Sequence, residues 1–217
     1  NIKVSKYPLN LFICKNCYLA QLENFVSKNK IFNNKYRYFS SYSKDWVSHS
    51  KKLVNKIVKK FNINKKNSLI AELASNDGYL LQHLKKKNIK CYGVEPSLSV
   101  AKVSKKKGIK TFVKFFNEKT ANYLKKRKLS VDIIFALNVV GHVPDLISFM
   151  KGVSILLKND GVLVIEIPYF INLIKKRQFD TIYHEHFSYF SVISMNNVLK
   201  KSKLHIFDIE YIDTHGG

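Results

Sequence analysis

The sequence predicts an α/β fold: a doubly wound, mostly parallel sheet assembled from βαβ units. Three observations carry that reading. Short apolar runs recur between segments of helical periodicity roughly ten residues long. The runs are nearly continuous rather than alternating, as strands covered on both faces must be. Glycine and lysine gather where the helical segments should end, Gly108 being a good residue just past a helix C-terminus.

The elements follow in order. Roughly the first 43 residues are aromatic-rich and are expected to be irregular, carrying Tyr7, Phe12, Tyr18, Phe32, Tyr36, Tyr38, Phe39 and Tyr42. Over 44–61 a helix is expected, because Trp46, Val47, Leu53, Val54, Ile57, Val58 and Phe61 recur at three- and four-residue spacing with lysines between. A polar connector, 62–67, leads to a buried strand at 68–73. Helix 78–87, strand 90–94, helix 98–107 and strand 110–113 come next. Helix 117–126 then precedes the strongly apolar strand 131–137, and helix 146–157 precedes strand 161–167.

Composition narrows the function classes. Apolar residues make up 46% of the 217, enough for a sizeable core, so disorder is not expected. No apolar run reaches the roughly 18 residues of a membrane span, and no apolar signal segment opens the chain. A start at Asn1 without Met and an end at Gly217 without a closing signal are read as an interior piece of a longer protein. Net charge is +23, from 38 basic and 15 acidic residues, which would suit a nucleic-acid partner. Only Arg37, Arg127 and Arg177 are arginines, however, and lysine is the poorer reader of phosphates and bases. The lysines spread along the whole chain as solvated faces, so nucleic acid is disfavoured. Three cysteines without a secretory segment point to a reducing, cytoplasmic setting. Cys14-Lys15-Asn16-Cys17 supplies two thiols from one turn and reads as half a Zn²⁺ site or as bystander thiols. Cys91 reads as a small core residue.

Ligands of a doubly wound sheet bind at the carboxyl ends of its strands. After the first strand comes Glu72-Leu73-Ala74-Ser75-Asn76-Asp77-Gly78, where small residues let the backbone approach a ligand and a helix is expected to open at Gly78. It is not the glycine-rich dinucleotide fingerprint. About twenty residues later, Gly93-Val94-Glu95-Pro96 places a carboxylate where a ribose diol needs an acceptor. A third strand end carries Asn138-Val139-Val140-Gly141-His142. Together the three favour a nucleoside cofactor.

These motifs resemble those of class I S-adenosylmethionine-dependent methyltransferases. A closer resemblance is to the sugar C-methyltransferase family of deoxysugar pathways. It runs from about Tyr7 to the end, through Tyr7-Pro8-Leu9, the cysteine pair with Gln21-Leu22, Tyr38-Phe39-Ser40-Ser41 and Asn138-Val139 with His142-Val143-Pro144-Asp145. Glu166-Ile167-Pro168-Tyr169, Phe179-Asp180-Thr181-Ile182-Tyr183-His184-Glu185-His186 and Thr214-His215-Gly216-Gly217 complete it. The resemblance implies a partial zinc-binding and substrate module over 1–43, a helical linker over 44–67 and a Rossmann-like cofactor domain over 68–170. Residues 171–217 would then be the end of the core and the start of a truncated C-terminal α/β domain. In this family the first cysteine pair would precede Asn1, so only half of the zinc site, Cys14 and Cys17, is expected here.

The implied reaction is methylation of a carbon beside the ketone of a nucleotide-linked keto-deoxysugar through an enolate. That chemistry needs a base, a donor for the enolate oxygen and a fixed geometry. By resemblance His186 is the base, His142 a second active-site histidine, and Tyr183, Glu185 and Tyr38 hold the sugar or its enolate. If extended, the segment points Tyr183 and Glu185 one way and His184 and His186 the other. Glu95 and the adjoining Pro96 are assigned to the ribose, Glu72 and the turn Ala74, Ser75, Asn76 and Gly78 to the methionine part, Asn138 to the amino acid group and Phe116 to the adenine. Phe116 and Tyr38 read equally as packing residues. His184, His83 and His205 read as structural, His49 as a surface or lid residue, and His215 is left open. Three rivals remain: O- or N-methyl transfer to another small molecule, a zinc-ribbon nucleic-acid binder, and a non-catalytic scaffold.

Overall fold

The computed structural model describes residues 6–33 and 36–212, so the Thr214-His215-Gly216-Gly217 motif lies outside the described residues. The regular elements, in chain order, are β1 (Leu11–Ile13), β2 (Ala20–Leu22), α1 (Lys28–Ile31), α2 (Lys44–Lys60), β3 (Leu69–Leu73), α3 (Leu81–Lys86), β4 (Lys90–Val94) and α4 (Leu98–Lys106). They continue as β5 (Lys110–Phe112), α5 (Glu118–Lys126), β6 (Val131–Leu137), α6 (Leu146–Leu156), β7 (Leu157–Glu166), α7 (Phe170–Lys175), β8 (Ser188–Tyr189) and α8 (Val192–Lys200). The chain divides into two compact units, one comprising 32–137 and 148–165, the other 1–31, 138–147 and 166–217.

The unit built on 32–137 confirms the expected α/β class. Its five strands lie in the order β5-β4-β3-β6-β7. Strand β3 runs parallel to both β4 and β6, and β4 parallel to β5. The order turns back at β3, so the rim where β3, β4 and β6 end is the switch point of the sheet. Both faces are buried, as the near-continuous apolar strands require: Ile70, Ile133 and Phe135 on one face and Ala71, Ile134 and Ala136 on the other are all at most 1% exposed. Helix α2 packs Trp46, Val54 and Ile57 into the same core. It starts where it does because the Ser43 hydroxyl accepts the Trp46 N–H at 3.2 Å. Helix α5 begins the same way, on the Asn117 side chain.

Two starts differ from expectation. Strand β7 begins at Leu157, directly after α6, rather than at Gly161. Helix α3 starts at Leu81, not at Gly78. Asn76 and Gly78 both hold positive φ, and two left-handed residues cannot form the first turn of a right-handed helix. The loop after β3 is therefore a compact turn rather than a helix N-terminus. Gly93, opposite Glu72 in the β3–β4 ladder, lies beneath it. A Cβ at Gly93 would collide with the Ser75 hydroxyl, come within 2.7 Å of Ser75 Cβ and stand 3.2 Å from Leu81 Cδ1. Since Ser75 is fully buried, neither neighbour has room to yield. Gly93→Ala should cost roughly 2 kcal/mol as overpacking and lower the melting temperature by about 6 °C, measured by scanning calorimetry.

The second unit corrects the expectation that the N-terminal region is irregular. Strands β1 and β2 form an antiparallel hairpin, and β2 pairs in turn with β8 through Ala20 to Tyr189 and Gln21 to Ser188. Ala20, Leu22, Phe170, Leu173 and Tyr189 form its core. The strands are two or three residues long, too short for a period-2 pattern to register. Among the described residues, no helix is long and apolar enough to cross a membrane.

Candidate active site

The turn after β3 carries the first group of candidate residues. Ala74, Asn76 and Gly78 all adopt left-handed φ, at 55°, 47° and 80°. Gly78 is required there: a Cβ would stand 2.5 Å from Ile109 Cδ1 and 2.9 Å from Ser104 Oγ, and the positive φ would strain any other residue. Ser75 N–H donates to the Val94 carbonyl at 3.3 Å, tying the turn to the end of β4.

Glu95 follows β4 directly and is 4% exposed. Its Oε2 accepts the Asn76 N–H at 3.0 Å and its Oε1 the Ser97 N–H at 2.8 Å. Burial pushes the carboxyl up to about 7, against the pull of these two N–H groups. Half-buried Pro96 sets the chain direction after it. Glu72 is buried at the carboxyl end of β3. Burial holds its carboxyl well above the usual range, opposed by the Tyr79 hydroxyl and reinforced by the like charges of Asp77 and Glu95.

The turn fits the nucleoside and amino acid parts of S-adenosylmethionine. Ser75 Oγ, Asp77 Oδ1 and Ser97 Oγ are buried without a hydrogen-bonding partner in the protein. Such atoms cost stability unless something satisfies them. Surrounding carboxylates suit a ligand carrying hydroxyl and ammonium donors. Asn138, immediately after β6, belongs to the other unit and takes left-handed φ at 50°. Its N–H donates to the Glu166 carbonyl at 2.8 Å, and its side-chain Oδ1 is buried without a partner. Phe116 packs edge-on against Phe149, with centroids 5.3 Å apart, as a packing residue would.

Four of the five residues assigned to catalysis come together in the second unit. The rings of His142 and His186 meet edge to face at 4.6 Å. His142 Nδ1 donates to the Glu185 carbonyl at 2.8 Å, and His186 Nδ1 to the Thr181 carbonyl at 2.7 Å. A carbonyl can only accept, so both protons sit on Nδ1, and in the neutral rings Nε2 keeps the lone pair. Tyr183 donates its hydroxyl to His186 Nε2 at 2.9 Å. Burial, helped by neighbouring His186, pushes His142 down to about 4. Burial also lowers His186, against the Thr181 carbonyl, and raises the Glu185 carboxyl. Both imidazoles are therefore neutral at pH 7.

Residues 183–186 are not extended, so the alternation that an extended segment would give does not apply. His186 N–H closes a turn onto the Tyr183 carbonyl at 2.9 Å, which brings side chains three apart together. His184 instead donates Nε2 to the Pro8 carbonyl at 2.8 Å and packs edge-on against Tyr7. Tyr38, the fifth residue, lies in the first unit and is 58% exposed. His49 stacks on Trp46 and His83 is buried. Reading the sequence missed Tyr189, whose buried hydroxyl donates to the same Thr181 carbonyl at 3.2 Å. It also missed the two carbonyls that set the imidazole tautomers, because a backbone acceptor leaves no residue-type signal.

Cys14 and Cys17 sit in the tight turn between β1 and β2, where Tyr18 N–H bonds the Cys14 carbonyl at 2.8 Å. The N–H groups of Cys17 and Asn16 pull the Cys14 thiol below its usual value. Among the described residues, no group of three or more His, Cys, Asp or Glu is arranged to hold a metal ion.

Comparison with known proteins adds the family. A family model described as a methyltransferase domain matches residues 46–206. C-methyltransferase NovU of Streptomyces niveus is 31% identical over 211 residues, 97% of this chain and 50% of that protein. This chain thus spans about half the length of that relative. A solved S-adenosylmethionine-dependent methyltransferase from Clostridium acetobutylicum superposes with a TM-score of 0.58 at 15% identity, covering 75% of this chain and 82% of that one. Another, from Archaeoglobus fulgidus, gives 0.53 at 19% identity over 69% and 67%. These two show the fold. With the family model spanning 46–206, the chain belongs to the methyltransferase domain family, and it has the class I S-adenosylmethionine-dependent fold.

Proposed function

We propose that this protein transfers a methyl group to the carbon beside the ketone of a nucleotide-linked keto-deoxysugar. The observation that carries the proposal is the imidazole pair: two neutral rings, each with its Nδ1–H held by a carbonyl and its Nε2 left as the basic nitrogen. A carbon acid needs such a base, whereas a nucleophilic oxygen or nitrogen needs much less help. The likeness to a protein named as a C-methyltransferase agrees with it.

Bound S-adenosylmethionine supplies an electrophilic methyl group. In this reading Glu95 accepts from the ribose hydroxyls, with Pro96 beside it. The turn from Ala74 to Gly78 and Glu72 hold the methionine part, Asn138 its amino acid end, and Phe116 flanks the adenine. His186 Nε2 takes the proton from the substrate carbon, and the electron pair of that C–H bond moves into the enolate. Tyr183 turns its hydroxyl from His186 to the enolate oxygen. Glu185, Tyr38 and His142 position the sugar. The carbon nucleophile so formed would be the acceptor of that methyl group, whose bond to sulfur would break and leave S-adenosylhomocysteine. Cys14 and Cys17 would supply two thiolates of a four-ligand structural zinc site within a substrate module, 1–43, and a reducing cytoplasm suits the three free thiols.

The test is proton exchange. In D₂O, with a nucleotide-linked 4-keto-deoxysugar, the protein should wash deuterium into the position beside the ketone and then methylate that carbon. Methylation of oxygen or nitrogen without exchange would establish the rival chemistry.

A pH dependence follows from Glu95. Its carboxyl lies at about 7 in the folded protein, above the ordinary 4.5, so the proton stabilises the fold below that range and the advantage is lost as pH rises through about 7. The ionised form is the better acceptor for a diol. Affinity for S-adenosylmethionine should therefore climb about tenfold per pH unit from about 5.5 to 7 and level off above. Titration calorimetry across that range reads it; a flat profile would remove Glu95 from the ribose.

A further inference from the structure

Residues 36–43 run alongside the Glu95 turn and are attached to it by polar bonds. Asn76 supplies the central ones: its Nδ2 donates to the Tyr38 carbonyl at 2.9 Å, and its Oδ1 accepts the Ser40 N–H at 3.0 Å. The same residue donates its own N–H to Glu95 Oε2. Two further ties are Ser99 Oγ to the Tyr36 carbonyl at 2.6 Å and Lys107 Nζ to Ser41 Oγ at 2.7 Å. Apolar anchorage is slight: Tyr38 is 58% exposed and Tyr42 is 81% exposed, with Phe39 stacked on Tyr42 rather than in the core. A segment with few buried apolar contacts opens at low cost.

We propose that Asn76 is a positioning residue that couples occupancy at Glu95 to closure of the 36–43 strap, and so sets Tyr38 for the methyl acceptor. The proposal rests on the reading of Glu95 as the nucleoside acid. A diol held by Glu95 fixes the carboxylate, which fixes the Asn76 N–H. Because Asn76 is held in left-handed φ by the turn, its amide then points in one direction and binds both a carbonyl and an N–H of the strap. Closure and ligand binding reinforce one another equally. A merely structural Asn76 would add stability without making the order of the strap depend on ligand.

Hydrogen exchange with mass spectrometry tests this, using S-adenosylhomocysteine as the probe. In the unsubstituted protein the probe should slow exchange across 36–43. Asn76→Gly keeps the left-handed backbone and removes only the amide. It should bind the probe about tenfold more weakly, the worth of the two side-chain hydrogen bonds to the strap, the third, from the Asp77 N–H to Oδ1 at 2.9 Å, lying within the turn; and saturating probe should no longer protect the strap. Should Asn76→Gly fold poorly, Ser40→Pro deletes the strap's donor and leaves the turn intact; it should uncouple the strap in the same way. Equal protection of the strap in the substituted and unsubstituted proteins overturns the proposal, as does binding that leaves the unsubstituted strap unprotected. No binding of the probe to the unsubstituted protein would instead overturn the reading of Glu95.

Discussion

His186→Ala should lower turnover by about a thousandfold or more while S-adenosylmethionine still binds, since a positioned base contributes on the order of 10²–10⁴ and no neighbour can replace it in place. The geometry explains the expectation. The Thr181 carbonyl at 2.7 Å commits the Nδ1 proton, so the ring offers Nε2 and nothing else. Burial keeps the ring neutral at pH 7. His142 stands next to it, but its own Nδ1 is committed to Glu185 and its ring meets His186 edge-on rather than in its place. The measurement is steady-state methyl transfer to a nucleotide-linked 4-keto-deoxysugar, paired with calorimetry of cofactor binding. Full activity in the variant would move the base elsewhere, and His142→Ala would be the next protein to assay. Acidification should mimic the substitution, because both rings are base-competent only when neutral; since burial holds His186 below the ordinary histidine value and His142 at about 4, the rate should hold through pH 6.5 and fall only at lower pH.

Glu95→Ala should weaken S-adenosylmethionine about a hundredfold. Hydrogen bonds to a charged acceptor contribute roughly 1.5–3 kcal/mol, and tenfold in affinity is about 1.4 kcal/mol. The variant also strands the buried Asn76 and Ser97 N–H groups, which now donate to Oε2 and Oε1. Leaving them unpaired should cost about 1–3 kcal/mol of stability, so a lowered melting temperature accompanies the lost affinity. Glu95→Gln separates the two effects. It keeps one acceptor oxygen and the side-chain volume, so its stability should recover more than its affinity does. Unchanged affinity in Glu95→Ala, measured by calorimetry, would refute the ribose assignment.

Much of the fold was legible because its signals are local and repeated. The apolar runs that became β3, β4 and β6 needed no partner to be recognised, and the helix expected over 44–61 matches α2 to within a residue at its ends. Position relative to strand ends also carried over: Glu95 and the 74–78 turn lie at the carboxyl rim. What escaped was long-range or side-chain-specific. The β1-β2-β8 sheet joins Gln21 to Ser188, and pairs so short leave no period to read. Asn76 looked like a residue of the cofactor turn; only the folded chain shows its amide spent on Tyr38 and Ser40. The conformation of 183–186 was left open by its sequence; it is a turn, which is why Tyr183 reaches His186 at all.

Residue order alone determined the class of the fold, the switch-point rim and the carboxylate that stands on it, because burial periodicity and strand-end placement depend on neighbours in the chain. Tertiary structure alone decided which imidazole nitrogen is basic, which carboxyl is pushed up to about 7 and which side chains touch. Those properties depend on backbone carbonyls, N–H groups and the local exclusion of water, and distant parts of the chain supply them only when it folds.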